Sequence, residues 1–223
     1  VLIFFKSVNH KLITISNFLL KGSLIMKVLG ISCSPRKGQS SYIALKTALE
    51  ACAEQEPQIK TEIIDLGGKT IMSCKACGQC AKELKCSIDD DFNALIPILE
   101  DPEVAGMIIS TPVYFSSMAA HCKAFLERCV MFRRNGWKFK NRVGAAIAVG
   151  AVRNGGQELA IQGVQGALFC QDMVCVSDGS PMAHFGATLH SNPKTGVDDD
   201  DFGLATAKNT GKRVAELAVK ISS

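Results

Sequence analysis

No run of apolar residues in the 223-residue chain reaches bilayer-spanning length. A helical span needs about 20 such residues, so no membrane-spanning helix is expected. An excess of one charge is missing too. The formal net charge is +4, and Lys6, Lys11 and Lys21 supply three of those charges in a segment with no acidic residue before Met26. What remains is about +1, which makes no electrostatic case for nucleic-acid binding. There is no internal repeat and no low-complexity linker. At this length one domain with a full core is the default.

Cysteine, by contrast, is abundant, with ten residues. Four fall close together at 74, 77, 80 and 86, and the others are scattered through apolar surroundings. That distribution suits a cytoplasmic chain with one metal site and several buried thiols, rather than a secreted disulfide framework. Residues 1–25 are apolar but interrupted by Lys6, Asn9, His10, Lys11, Asn17 and Lys21. They lack the h-region and cleavage site of a signal peptide. Met26 is read as the functional start, with 1–25 an extension outside the fold and 26–223 the domain. An N-terminal helix or membrane-surface anchor is the alternative.

From Met26 onward, strand and helix patterns alternate. Strands are expected at 28–33, 61–66, 104–111, 143–149 and 173–177. Helices are expected at 41–54, from about Asp91 to Leu99, and at 118–132, 157–171 and 200–221. Five short strands, each followed by a helix, imply an α/β fold with a doubly wound five-stranded parallel sheet. Ligands of such sheets bind at the carboxyl ends of the strands, which directs attention to the loops after strands one, three and four.

The loop after strand one reads Gly30-Ile-Ser-Cys-Ser-Pro-Arg-Lys-Gly-Gln-Ser-Ser41. It is neither a Gly-x-Gly-x-x-Gly nor a Walker sequence, which weakens dinucleotide and nucleoside-triphosphate readings. The hydroxyls of Ser32, Ser34, Ser40 and Ser41, the Arg36 guanidinium beside Pro35, and a helix start can surround a phosphate. A serine-rich turn is the plainer alternative. After strand three come Thr111, Pro112, Val113, Tyr114, Phe115 and Ser116. This mixture of aromatic area, hydroxyls and backbone amides suits a flat polar ring. A proline turn with two aromatics tucked into the core would read the same way. After strand four, Gly150, Arg153, Asn154 and Gly155 lie in a glycine-rich stretch that permits close backbone approach.

The cysteine loop has the spacing C-x2-C-x2-C-x5-C, from Cys74 through Cys77 and Cys80 to Cys86. Three thiols two residues apart can converge on one cubane and the fourth can close the site, as four-thiolate ligation of a [4Fe–4S] cluster requires. Gly78 supplies the tight turn. Zinc accepts four thiolates as well, but more often as two separated pairs, and free thiols or a disulfide pair stay open.

These loops together resemble the NAD(P)H-dependent FMN reductase family of the flavodoxin-like superfamily. The matching pieces are 30–41, 110–117 and 149–157, with Lys123, Phe125 and Arg128 in the helix after the second. The resemblance implies FMN, with its phosphate on Ser32, Ser34, Arg36, Ser40 and Ser41. The ring would lie against 112–117 and 150–155. One departure is Cys33, where the family often has a smaller residue, and a thiol there could crowd the turn. The cysteine spacing resembles the iron–sulfur flavoprotein branch, which implies dimers or tetramers.

The expected function is a redox enzyme that passes electrons from a one-electron partner such as ferredoxin, through the cluster to FMN, and on to a small acceptor. A cluster-free NAD(P)H-dependent FMN or quinone reductase, and a flavin or thiol redox sensor, are the alternatives. No catalytic side chain is needed, since a flavin carries the chemistry. His121 reads as structural, the aspartates at 89–91 and 198–201 as helix caps, and the basic cluster around Trp137 as a solvated face.

Overall fold

The computed structural model of the protein describes residues 26–222. The reading of 1–25 therefore lies outside the described residues. The chain opens with β1 (Met26–Ser32), α1 (Ser40–Gln55) and β2 (Ile59–Asp65). The cysteine loop follows, with a 3-10 turn at Gln79–Ala81. A second such turn (Asn93–Leu95) leads into the single-turn α2 (Ile96–Leu99). Then come β3 (Val104–Tyr114), β4 (Ser117–Met118), α3 (Ala120–Arg128), α4 (Val130–Arg134), β5 (Val143–Gly150) and α5 (Gln157–Phe169). The last elements are β6 (Val174–Cys175), β7 (Ala187–His190) and α6 (Asp201–Ser222).

The sheet order is β2-β1-β3-β5-β6, parallel throughout this path. The chain winds outward from β1 to β2 and then crosses back to β3. The switch point of the sheet is therefore between β1 and β3, where a ligand crevice is expected.

Alternation along the strands sorts side chains onto two faces. Leu29, Ile31, Met107, Ile109, Ala146 and Ala148 pack with Phe125, Phe132, Ile161, Val164 and Leu168 from α3, α4 and α5. Val28, Ile108, Ala145, Ile147 and Val149 pack on the other face with Leu45, Leu49, Ala207 and Val214 from α1 and α6. Each fully buried Leu, Ile or Phe contributes about 1.5–3 kcal/mol, so both layers are needed. Cys33 is buried in the first core.

The sheet has seven strands rather than the five expected. The fifth position is split: β6 pairs the start of β5 at Val143 and Gly144, and β7 pairs its end from Ile147 to Gly150. Residues 176–186 swing out between them. Gly186 lets the chain return, since a Cβ there would stand 2.5 Å from the Ala146 carbonyl oxygen. Alternation over so few residues gives β7 no readable signal in the sequence. The other extra strand, β4, forms because β3 runs on to Tyr114 and turns back at Phe115 and Ser116, whose φ values are +49° and +60°. Two positive values in a two-residue loop match the twist of a hairpin.

Two helices also differ from expectation. The segment 118–132 begins later, at Ala120, and divides into α3 and α4 at Cys129. The segment ending at Leu99 is a 3-10 turn followed by a single α turn, and Asp90, one of the three aspartates before it, accepts the Phe92 N–H, at 3.2 Å. Among the described residues no helix is long and apolar enough to cross a membrane.

Helices α1 and α6 cross in contact at Gly211, where a Cβ would lie 1.8 Å from the Ala48 carbonyl oxygen. Gly211→Ala must push the two helices apart. It should cost about 1–3 kcal/mol or more, read as a lower midpoint in denaturant unfolding. An unchanged midpoint would refute this close packing.

Candidate functional site

The carboxyl ends of β1, β3 and β5 are neighbours, so the three loops singled out in the sequence meet at one edge. In the first loop, Ser34 is buried and its Oγ accepts the Arg36 N–H at 3.1 Å. Ser32 Oγ is buried with no hydrogen-bond partner, which fits a polar ligand at this edge, since buried polar groups are generally hydrogen-bonded. Asp65, at the end of β2, holds the loop from below. Its carboxylate accepts the Gly38 and Gly67 N–H groups, each at 3.0 Å. Gly67 packs against Lys37, where a Cβ would come within 2.4 Å of the Lys37 Cα. Helix α1 starts after Gln39 without a side-chain cap. Ser40 Oγ lies 2.7 Å from Ser191 Oγ, which brings the chain after β7 to this loop. Ser41 is buried, and its carbonyl accepts the Ser110 hydroxyl at 2.8 Å. Pro35 and Arg36 are exposed.

In the second loop, Thr111 Oγ1 accepts the Ala119 N–H at 3.1 Å and so ties the hairpin to the start of α3. Pro112 is buried and Val113 half-buried, while Tyr114, Phe115 and Ser116 face solvent. Phe115 is fully exposed, at 107%. The third loop abuts the second, for a Cβ on Gly156 would stand 2.7 Å from the Ser116 Cα. Its bracket is Gln157, fully buried. The Gln157 amide donates to the carbonyls of Val152 (2.6 Å) and Leu189 (3.2 Å) and accepts the Gly155 N–H (2.8 Å). Gly150 is buried and Asn154 exposed.

Arg153 is engaged by residues that the sequence reading did not select. It pairs with Asp200, lies 2.9 Å from His190 Nδ1, and reaches the Thr188 carbonyl at 3.3 Å. Burial would raise the Asp200 carboxyl. The His190 and Gly203 N–H groups and the Arg153 charge outweigh it and hold the group below its usual range. Asp200 caps α6 through the Gly203 N–H at 2.9 Å, as the aspartate run suggested.

The cysteine loop packs on α3 and α4. Cys74, Cys77, Cys80 and Cys86 line one cavity with Arg128, Met131 and Arg134. Gly78 turns the chain at φ +77°, as its place in the motif predicts. The Ala76 N–H points to Cys74 Sγ at 3.4 Å, Ser87 Oγ is 3.0 Å from Cys77 Sγ, and Arg134 Nη1 donates to Cys80 Sγ at 3.4 Å. The Ser87 hydroxyl, then the Gln79 N–H, hold the Cys77 thiol below its usual value. Burial pushes the Cys33 and Cys129 thiols up, which leaves those sulfurs inert. The cavity itself is about 20 Å³, room for one water. Among the described residues, no three His, Cys, Asp or Glu side chains stand close enough to hold a single ion.

The loop is anchored by a buried ion pair. Arg128 and Asp90 are each 1% exposed in their side chains and form two hydrogen bonds, at 2.9 and 3.1 Å. Arg128 also donates to the Met72 carbonyl, while Asp90 accepts the Met72 N–H. Asp90 would be raised by burial, yet the Arg128 and Met72 bonds hold it below the usual carboxylate range. His121 is structural, with Nε2 2.9 Å from the Leu66 carbonyl. The basic cluster around Trp137 is largely exposed, as a solvated face is, and several of its side chains also make local contacts. Arg133 lies over the Trp137 ring, Lys140 pairs with Asp172, and Arg142 donates to the carbonyls of Leu99 and Asp101.

Strand order, the three-loop edge and the thiol-lined cavity define an α/β protein of the flavodoxin-like class. Two solved structures share the fold: a WrbA-like flavodoxin of Agrobacterium tumefaciens (TM-score 0.57, 15% identity, covering 87% of this chain and 97% of that one), and an NADH:FMN oxidoreductase (TM-score 0.58, 17% identity, covering 89% and 91%). The family model described as NADPH-dependent FMN reductase matches residues 26–188. Iron-sulfur flavoproteins of Methanocaldococcus jannaschii (40% identity, covering 86% of this chain and 97% of the relative) and Methanosarcina thermophila (36%, covering 86% and 95%) are similar over the same extent. The chain belongs to the NADPH-dependent FMN reductase family, within its iron–sulfur flavoprotein branch.

Asp90→Ala leaves a buried guanidinium without its partner and should cost about 3–5 kcal/mol, measured by denaturant unfolding. Because the folded Asp90 carboxyl is held low, its contribution is complete above the unfolded value of about 3.9. It is lost as pH falls through the lower folded value. The gap between wild type and D90A should therefore narrow in acid, and a constant gap down to pH 2 would disprove the assignment. In apo protein, Cys77 should alkylate before Cys33, Cys52, Cys122 and Cys129, read by mass spectrometry of quenched samples.

Proposed function

We propose that this chain is an oxidoreductase that binds FMN at the three-loop edge and a [4Fe–4S] cluster at Cys74, Cys77, Cys80 and Cys86. The observation that carries the reading is that four thiols line one cavity, in a chain whose sheet edge presents a buried, unpartnered Ser32 hydroxyl. When bound, FMN supplies one- and two-electron chemistry and the cluster one-electron transfer.

The chain's own residues supply binding and orientation. Ser32, Ser34, Arg36, Ser40 and Ser41 hold the phosphate, Arg36 through its planar fork, while Asp65 keeps the loop shaped for it. Pro112, Val113, Tyr114, Phe115 and Ser116 offer the ring an apolar face. Gly150, Arg153, Asn154 and Gly155 border its polar edge, with Thr111 fixing the hairpin. Gln157 keeps the third loop in place. The four thiols share their cavity with the exposed outer turn of Lys75, Ala76 and Cys77.

Residues 26–223 constitute the FMN domain, with 74–86 as its cysteine loop. A ferredoxin-like carrier or NAD(P)H delivers electrons, and a small molecule accepts them. The protein works in the cytoplasm as a homodimer or homotetramer, without nucleic acid or membrane.

One observation favours a second reading, an NAD(P)H-dependent FMN or quinone reductase with metal-free thiols: no three thiols converge on a single point. Anaerobic purification with iron, sulfide and flavin analysis decides between them. The expected result is about four irons and one FMN per chain. Cys80→Ser should lose the iron and keep the flavin, and Arg36→Ala should weaken FMN binding and keep the iron. Iron-free protein whose flavin is rapidly reduced by NADPH would establish the second reading.

A further inference from the structure

Two guanidinium groups reach the thiol cavity, and their charges are not equivalent. Arg128 is 2% exposed, and its charge is matched by Asp90. Its Nε is nevertheless buried with no acceptor, although Cys86 lines the same cavity. Arg134 closes α4 and donates to Cys80 Sγ at 3.4 Å, with no carboxylate partner among the described residues. The next residue fixes the same cysteine from its backbone side: Asn135 Nδ2 donates to the Cys80 carbonyl at 2.7 Å and to the Met131 carbonyl at 2.8 Å. The other ionic groups at the loop largely offset one another. Glu127 accepts the Cys74 N–H at 3.3 Å and is paired with Lys123, whereas Lys75 also lines the cavity but from the exposed outer turn, where solvent screens its charge.

We propose that Arg134 is a positioning residue that raises the reduction potential of the cluster, by a charged hydrogen bond to the Cys80 thiolate. The buried Arg128 Nε supplies a second, charge-compensated donor to the same sulfur shell. The physical cause is simple. Reduction adds one negative charge to an already anionic thiolate-ligated group. A nearby uncompensated cation favours the reduced form, and hydrogen bonds to sulfur act in the same direction. Arg128 adds little net field because Asp90 cancels it, so Arg134 carries the difference. This inference rests on the cluster reading given above.

The test is redox potentiometry of anaerobically purified, FMN-loaded protein, wild type against Arg134→Met, Arg134→Lys and Arg133→Met. Arg133 is the control. It removes the same charge one residue away, but Arg133 donates to the Cys170 carbonyl and lies over Trp137 instead of facing a cluster ligand. R134M should lower the reduced-to-oxidised ratio of the cluster about tenfold at a fixed potential, a shift of about 59 mV for one electron. R134K should recover part of this, R133M should shift it far less, and the FMN couple should not move. A shift in R134M no larger than in R133M overturns the inference while the cluster reading stands. An R134M protein that fails to hold its irons overturns it as well, Arg134 then being only an anchor for the loop. Wild-type protein with flavin but no iron overturns the cluster reading and this inference together, and iron analysis alone reveals that case.

Discussion

Strands β1, β3 and β5 are covered by helices on both faces, and this burial dictates where chemistry can occur. Val28, Leu29, Ile108, Ile109, Ala145 and Ala146 have no exposed surface, so no polar ligand can reach the sheet from above or below. Polar side chains with work to do are confined to the strand ends. Ser32, Ser110 and Thr111 are the points where the buried strands turn polar. Two of the loops follow from them and the third from Gly150 at the end of β5, and the parallel register brings the three side by side.

The helical segment of α3 and α4 joins that edge to the cysteine loop. Its first turn is held by Thr111, and His121 reaches back to the end of β2. Its later residues Glu127, Arg128, Arg134 and Asn135 each bind a different point on the loop or its flank. One helical segment thus contacts both the three-loop edge and the cysteine loop.

Much of this was legible in the residues. The loop motifs lie at the strand ends that their order implies, Gly78 turns as expected, and the aspartate at 200 caps its helix. The unread part has a common origin. β7 is four residues long and follows an excursion, so neither alternation nor turn residues announce it. Arg134, Asn135, His190 and Ser191 are remote in sequence from the loops they touch. Nothing in their own neighbourhood names those loops as their partners, and the Trp137 cluster, read as a solvated face, is largely exposed, as charge runs usually are.

The amino-acid sequence by itself determined the order of strands and helices, the places where loops interrupt apolar runs, and the spacing of four thiols. These are local properties, set by periodicity, turn chemistry and side-chain type. Tertiary structure alone decided the split edge strand, the engagement of Arg153 by Asp200 and His190, and the delivery of Arg128 and Arg134 to the cysteines. Those contacts join residues that parallel crossovers bring together from distant parts of the chain. No local pattern encodes which distant partner will arrive.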